Sequence, residues 1–554
     1  MRGAINQDSS GAVGRMMGEV RAALKAQDYP RATQLARTAL VSGVTHPVLL
    51  MLRGNDLQAQ GRYREALDDL NRAVAMAPQD VVMRNALGLC LQGMDMLPEA
   101  VQVFDDALAI RADFPPALYN RGYTKELMGD LAAARSDYEQ ALALNAGFPE
   151  PAARLASLAS RRRDWPEVRA RAAQALALDA NLQPALLALA TADMEEGDLA
   201  GAKRRLDAML GLPRLSPSDR AIVKGMMGDL LDREDRPADA FKVYTECKSL
   251  QREVFAPRYA AAGAQNACAF VQSLIGYFEK TPDPARWKQT VPDNGSAAAG
   301  HVFLLGFPRS GTTLLEQALA CHPQVATTAE KEFLIDGFRE FMGTPESLDR
   351  LSRIDETAAA RFRDLYWQRV RQSGIAPEGK TIVDKQPLNT VKLPLIAKLF
   401  PAARILFAVR DPRDVVLSCF RRRFQMNIDM FEFTTLGGTA AYYDAVMRFA
   451  ELCRANLTLS ALETRHEDLA SDFEPRMRAI CDFTGIPWDA AMHGFAARAA
   501  SGAAATPSAP QLSRGLNLEG IGQWRRYAAQ LAPVLPMLAP WVERFGYDGD
   551  QAGA

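Results

Sequence analysis

Long apolar runs, cysteine and net charge are all scarce in this 554-residue chain. No stretch reaches the roughly 18 apolar residues that span a bilayer. The opening MRGAINQDSSGAVGRMMGEV also lacks the apolar core of a secretory leader. With both signals missing, a cytoplasmic protein without a transmembrane segment is expected. Cys90, Cys247, Cys268, Cys321, Cys419, Cys453 and Cys481 are scattered, odd in number and form no CxxC pair. That argues against a disulfide framework and a thiolate zinc site, and reduced core thiols are expected. A formal net charge of −1 gives nucleic acid and membrane surfaces no general reason to bind, so any anion site must be local. The 48% hydrophobic and 24% charged residues are ordinary for a globular protein. The length exceeds what one core serves, and about two to four domains are expected.

What the chain does have is repetition. Gly54, Ala66 and Ala73 recur 34 residues later as Gly88, Ala100 and Ala107, and again as Gly122, Ala134 and Ala141. The frame continues through Ala156, Val168 and Ala175, then Ala190, Ala202 and Met209. After a four-residue slip it reappears as Gly228, Ala240 and Cys247, and a weaker first copy has Val20, Ala32 and Ala39. The pattern resembles the tetratricopeptide repeat in period, in small residues where paired helices cross, and in Pro78 near a repeat end. A helix pair of this kind cannot bury its apolar face alone, so about seven copies over residues 13–254 are expected to stack into a superhelix. Its concave face is free to take an extended peptide or protein partner; a stacking scaffold without a ligand is the alternative. Arg161, Arg162 and Arg163 are expected to form a solvated helix end.

From Arg252 to about Lys288 the chain is Ala-rich and helical in pattern, and Pro282, Pro284 and the polar DNGS at Asp293 to Ser296 mark a boundary. Residues 255–298 are therefore read as a connector and 299–549 as a second domain. Strands are predicted at Val302–Leu305, Thr381–Val383 and Arg404–Val409. Helices are predicted at Thr312–Ala320, Glu330–Phe341, Glu356–Arg371, Thr390–Leu399 and Arg413–Phe420. This alternation predicts an α/β domain around a parallel sheet covered on both faces, with ligands at the carboxyl ends of its strands.

One further absence lies inside a motif. Gly306-x4-Gly311 has the spacing of a phosphate-binding P-loop, but Thr312 stands where lysine would follow the second glycine, and only the hydroxyl of Thr313 is kept. That lysine ordinarily reaches the β- and γ-phosphates of a nucleoside triphosphate, so ATP or GTP chemistry is disfavoured. Arg309 supplies a planar, bidentate cation instead. A helix starting at Thr312 aims unpaired N–H groups and its positive dipole end at the loop. The plainer alternative is a helix end capped by Ser310 and Thr312.

Four segments fall at strand ends or just beyond: PRSGTT at Pro308–Thr313, Glu330, DKQP at Asp384–Pro387, and VRDPRDVVLSCFRR at Val409–Arg422. Together they resemble the sulfotransferases that use PAPS (3'-phosphoadenylyl sulfate), most closely the tyrosylprotein sulfotransferase branch, over roughly Ala299 to Asp548. The resemblance implies a 5'-phosphosulfate site at Arg309, Ser310, Gly311, Thr312 and Thr313, and a 3'-phosphate site at Arg410, Ser418 and Arg422. It also implies three catalytic residues. Glu330 would be the general base, Lys385 would stabilise charge on the sulfuryl group and leaving oxygen, and Ser508, placed by its spacing to Gln511, would hydrogen-bond the leaving side. In the family the segment matching SGAAATPSAPQLSR at Ser501–Arg514 folds over the nucleotide. Here its composition reads as a linker, and a lid that orders on binding is expected. His466 and Gln523 depart from the tyrosine and lysine of the eukaryotic enzymes, and Arg514, Arg525 or Arg526 are candidates to restore the charge.

Physical reasoning leads to the same place. PAPS carries two separated anions and needs two sites; on a helix from Arg413, Ser418 and Arg422 share a face, while Arg421 and Arg423 are expected at the surface. Sulfuryl transfer asks for in-line positioning and charge stabilisation, with no metal. The sequence thus predicts a PAPS-dependent sulfotransferase releasing 3',5'-ADP, with a protein tyrosine the leading acceptor and a glycan or small-molecule hydroxyl next. The alternatives are a P-loop nucleotide kinase, with Asp384 its one candidate magnesium acid, and a repeat scaffold with a non-catalytic nucleotide site. For Glu330 alone the alternative is a helix N-terminal carboxylate, and for Lys385 a surface lysine.

Overall fold

The computed structural model describes residues 4–213, 215–260, 266–280, 284–290, 298–500, 512, 515, 516, 518 and 520–547, with side chains from Gly14 onward. The chain divides into two compact units, Met1–Gly197 and Asp198–Ala554.

The first unit has eleven helices among its described residues, from Ala4–Lys25 to Gln183–Glu196. They pack in consecutive pairs, such as Val81–Gly93 on Leu97–Ile110 and Pro115–Leu127 on Leu131–Leu144. The recurring small residues are explained by the crossings. A Cβ on Gly88 would stand 2.5 Å from the Phe104 ring, and one on Gly122 would stand 2.9 Å from that of Tyr138. Glycine therefore makes room for a large residue 16 positions on; at Ala156 the same offset meets Ala172, and both alanines are fully buried. Arg161 to Arg163 do end a helix, each carrying an ion pair, to Glu126, Glu167 and Glu195 respectively.

The second unit opens with three more helices, Leu199–Leu210, Pro217–Arg233 and Pro237–Tyr259. The last two keep the repeat signature, with Gly228 set 2.5 Å (as a Cβ) from the Tyr244 ring. After the helix Ala267–Lys280 comes a sheet of β1 Gly300–Gly306, β2 Val325–Thr327, β3 Thr381–Lys385, β4 Arg404–Val409 and β5 Ser460–Arg465. Its order is β2-β3-β1-β4-β5 and every pairing is parallel. Alternate side chains of β1 enter two separate cores. Phe303 and Leu305 join Tyr442, Val446 and Phe449 on one face, while Val302 and Leu304 join Leu314, Leu315, Met477 and Ile480 on the other.

β2 and β5 were not predicted: the first has three residues and the second, SALETR, is half-buried and has no apolar run. The helix predicted from Glu330 begins only at Ile335. All seven cysteines are free thiols, six of them buried. No helix among the described residues is long and apolar enough to cross a membrane. The strand order sets the carboxyl ends of β3, β1 and β4 side by side, so Lys385, the Gly306 loop and Arg410 become neighbours.

Candidate functional site

Two glycines shape the loop after β1. Gly306 has φ 146° and a Cβ there would stand 2.5 Å from the carbonyl oxygen of Ala408; Gly311 has φ 94° and a Cβ would stand 2.5 Å from Nδ1 of His466. Neither conformation nor space admits another residue. Arg309 between them takes φ 74°, a left-handed backbone uncommon outside glycine. The N-cap of the helix Thr312–Leu319 is Gly311, which has no side chain to cap with. Capping by Ser310 and Thr312 is thus overturned, and the first-turn N–H groups are directed at the loop. Ser310, Thr312 and Thr313 are all buried.

On the β4 side the positive charges converge. Arg309 Nε donates to Ser418 Oγ at 2.9 Å, and Arg410 Nη1 donates to the Arg309 carbonyl at 3.2 Å. Arg410 also bonds the Gly520 carbonyl, while its Nε is buried with no partner among the described residues. Burial, with Arg422 and Arg410 nearby, pulls the Arg309 guanidinium down to about 9. Burial, then Arg410 and Arg309, pull His466 down to about 3, so the imidazole is neutral at physiological pH. Arg309, Gly311, Thr313, Arg410, His466 and Gly520 line one cavity. An anion entering it relieves repulsion among the guanidiniums.

Three neighbouring arginines depart from expectation. The helix Pro412–Arg421 ends before Arg422, which is its C-cap with ψ 146°, so Ser418 and Arg422 do not share a helical face. Its backbone N–H still bonds the Ser418 carbonyl at 3.1 Å. Arg421 and Arg423 are not free surface charges: their Nη1 atoms each stand 3.0 Å from a carboxylate of the helix Pro217–Arg233, Asp232 and Asp229 respectively. Arg423 lies so close that a Cβ on Gly225 would meet its Nη1 at 2.5 Å. From the helix Pro237–Tyr259, Lys248 Nζ donates to the Arg422 carbonyl at 2.6 Å. The last repeat pair thus buttresses the segment behind Ser418. The sequence signal was two acids, Asp229 and Asp232, three apart on one helix face. Arg526 belongs to the same network through Asp232 and Asp235, and Arg525 lies over Trp524, so Arg526 is committed elsewhere than at the nucleotide. Asp414 accepts from the N–H groups of Gly522 and Trp524 at 2.6 and 2.7 Å, which seats Gly520 beside Arg410. Ser508, Gln511, Arg514 and most of the expected lid lie outside the described residues.

On the β3 side the charges alternate. Lys385 is fully buried, with Nζ 2.5 Å from Glu330 Oε1 and 3.1 Å from Glu316 Oε2. It is no surface lysine. Burial alone would lower its affinity for a proton, but Glu316 and Glu330 outweigh that and hold it above its ordinary value. Glu330 precedes the helix Ile335–Phe341 by a loop, so it is not a helix N-terminal carboxylate. That loop is strained: Ala329 and Glu330 have φ 51° and 65°. It is stitched to β3 by Glu330 N–H to the Lys385 carbonyl at 3.0 Å and Lys385 N–H to Thr328 Oγ1 at 3.0 Å. Asp384 points to the opposite face, where it accepts from Tyr366 Oη at 2.8 Å and Thr328 Oγ1 at 3.3 Å, and burial pushes it up to about 7. It is a core group rather than a magnesium acid. Glu316 was not foreseen; all eight residues of its helix are buried, and a carboxylate in such a helix was the available signal.

Residues 301–490 match the model of the sulfotransferase family, and residues 115–148 match that of the tetratricopeptide repeat. The chain therefore carries tetratricopeptide repeats followed by a sulfotransferase-family domain. An uncharacterized protein of Aquifex aeolicus is 25% identical over 346 residues, which are 60% of this chain and 43% of that one. Protein-tyrosine sulfotransferase A of Caenorhabditis elegans is 23% identical over 281 residues, 46% of this chain and 69% of its own. Protein-tyrosine sulfotransferase 1 of Danio rerio is 25% identical over 271 residues, 45% and 72% of the two chains. The alignment thus spans less than half of the Aquifex relative.

Proposed function

We propose that this protein transfers a sulfuryl group from PAPS to an acceptor hydroxyl, a protein tyrosine ahead of a glycan or small-molecule hydroxyl, and releases 3',5'-ADP. The observation that carries this reading is the 2.9 Å bond from Arg309 to Ser418, which ties a phosphate-binding loop to a second cationic strand-to-helix junction. A donor with anions at both ends of its ribose needs two such sites, whereas a nucleoside triphosphate needs one together with the lysine that Thr312 replaces. Arg309, Ser310, Thr313 and the first-turn N–H groups from Gly311 and Thr312 hold the 5'-phosphosulfate. Arg410, Ser418 and Arg422 hold the 3'-phosphate, and the buried Nε of Arg410, without a partner among the described residues, fits that role.

In this reading the acceptor oxygen attacks sulfur in line with the bridging oxygen to phosphate. A new S–O bond forms as the old one breaks, and the electron pair leaves on the phosphate of 3',5'-ADP. Glu330, whose side chain is 39% exposed, is within reach of an acceptor and takes its proton. Lys385 offers an N–H and a positive charge to the sulfuryl and leaving oxygens. Ser508 adds a hydrogen bond on the leaving side. The repeats, proposed to span 13–254 and to be joined through 255–298 to the transferase at 299–549, capture the acceptor protein. The tyrosine preference draws on the names of the relatives and on the repeat segment.

Calorimetric titration tests the donor. 3',5'-ADP should bind without metal and about tenfold or more tighter than 5'-AMP, since each charge-assisted contact contributes roughly 1.5–3 kcal/mol. Equal affinity for the two nucleotides, or a requirement for magnesium, overturns the reading.

A further inference from the structure

We propose that Glu316 is a positioning residue for sulfuryl transfer: from the helix of the phosphate-binding loop it holds the Lys385 ammonium in place and supplies its counter-charge throughout turnover. The inference rests on the function proposed above.

Glu316 links the helix after the phosphate-binding loop to Lys385 at the end of β3. It belongs to the helix Thr312–Leu319 and its Oε2 is 3.1 Å from Lys385 Nζ; burial raises the carboxyl's proton affinity and Lys385 opposes that. The two carboxylates that share Lys385 differ in access. The Glu330 side chain is 39% exposed, and that of Glu316 is 2% exposed. A group that exchanges protons with an acceptor has to be the accessible one. Once Glu330 has taken the acceptor proton it is neutral, and its hold on Lys385 weakens. Lys385, with no exposure of its own, would then be an ammonium buried without a counter-charge, a costly arrangement. Glu316 prevents this, because water and acceptor do not reach it. An ammonium has three N–H donors; one goes to Glu330 and the charge is also paired with Glu316 at 3.1 Å, which leaves a donor for the sulfuryl or leaving oxygen. A bare packing role would leave the protonation of Lys385 and the rate profile unaffected by Glu316.

The test is the 13Cε chemical shift of Lys385 in the full chain labelled with 13Cε-lysine, followed across a range of pH and assigned with Lys385→Arg. In Glu316→Gln the midpoint for Lys385 should fall by about one pH unit or more, since an opposite charge at this distance favours the charged form. Single-turnover transfer from radiolabelled PAPS to a tyrosine peptide should slow about tenfold or more, with the alkaline limb of the rate profile moved to lower pH. The KM for PAPS should stay within a few-fold. Glu316→Asp, which keeps the charge one methylene farther away, should show smaller shifts in the same direction, and it carries the test alone should the glutamine variant not fold. An unchanged Lys385 midpoint overturns the inference. A parent protein that transfers no sulfuryl group overturns the proposed function instead, and the Lys385 chemical shift still decides whether Glu316 sets its protonation.

Discussion

On the β4 side of the loop, Arg309, Arg410 and Arg422 stand together, and burial and like charges depress the Arg309 guanidinium. On the β3 side, Lys385 lies between Glu316 and Glu330 and is shifted the other way. In one cluster like charges act on one another, and an incoming anion would relieve them; in the other, Lys385 is paired with two carboxylates. In the proposed function, binding and chemistry fall on opposite flanks of β1, joined through the helix Thr312–Leu319. The arginine side also draws on outside support, because Asp229 and Asp232 of the last repeat pair fix Arg423 and Arg421.

Three variants separate the flanks. The largest effect is expected at Glu330→Gln, which keeps the shape and removes the base: single-turnover transfer should fall ~10²–10⁴-fold, and Lys385→Ala should lose about 2.7–4 kcal/mol of transition-state stabilisation. Both should bind 3',5'-ADP within a few-fold of the parent. If nucleotide affinity falls as far as turnover does, the flanks are not separate. Next comes Arg410→Ala, expected to weaken 3',5'-ADP by about 1.5–3 kcal/mol while leaving 5'-AMP nearly unchanged. Equal losses for both nucleotides would move Arg410 from the 3'-phosphate to the rest of the nucleotide.

The smallest effect is one of stability. Burial alone would raise Asp229, but Arg423 and Arg422 outweigh it and keep the carboxyl below its ordinary value. A depressed carboxylate stabilises the fold above the unfolded value, near pH ~4, and that contribution is lost as pH falls through the folded value. Asp229→Asn should therefore be less stable at pH 7 by roughly 1–2 kcal/mol, between a surface and a buried pair. It should also lose less stability than the parent on acidification below about pH 4. Urea melts at several pH values check this, and parallel pH profiles for parent and variant would mean that the clamp is not what holds Arg423.

Much of this was visible in the residues. The 34-residue spacing of Gly54, Gly88 and Gly122 reported helix crossings, because a small residue is required wherever two backbones approach. Strand Arg404–Val409 was placed to the residue, since its apolar run is bounded by charge. Glu330 and Lys385, 55 positions apart, were named for the same reaction, and the structure sets them in contact. Strand β5 was missed because a half-buried edge strand needs no apolar run; His466 was named in place of the family's tyrosine, but its neutral state and its position under Gly311 depend on neighbours from distant segments.

The sequence by itself determined the repeat array, the strand–loop–helix around Gly306 and Gly311, and the identity of the charged residues beyond the strands. Those features are local: they follow from periodicity, from glycine's backbone and from residue type at short spacing. Only the tertiary structure decided what each charge does. Arg421, Arg422 and Arg423 are chemically alike, and their roles separate because the helix ends one residue before Arg422 and because an acidic helix some 190 positions earlier packs against the two that flank it. Glu316 shows the same dependence, since a carboxylate becomes a partner for Lys385 only where β3 lies beside β1. Charge interactions depend on distance through space and on burial, and neither is written in the spacing along a chain.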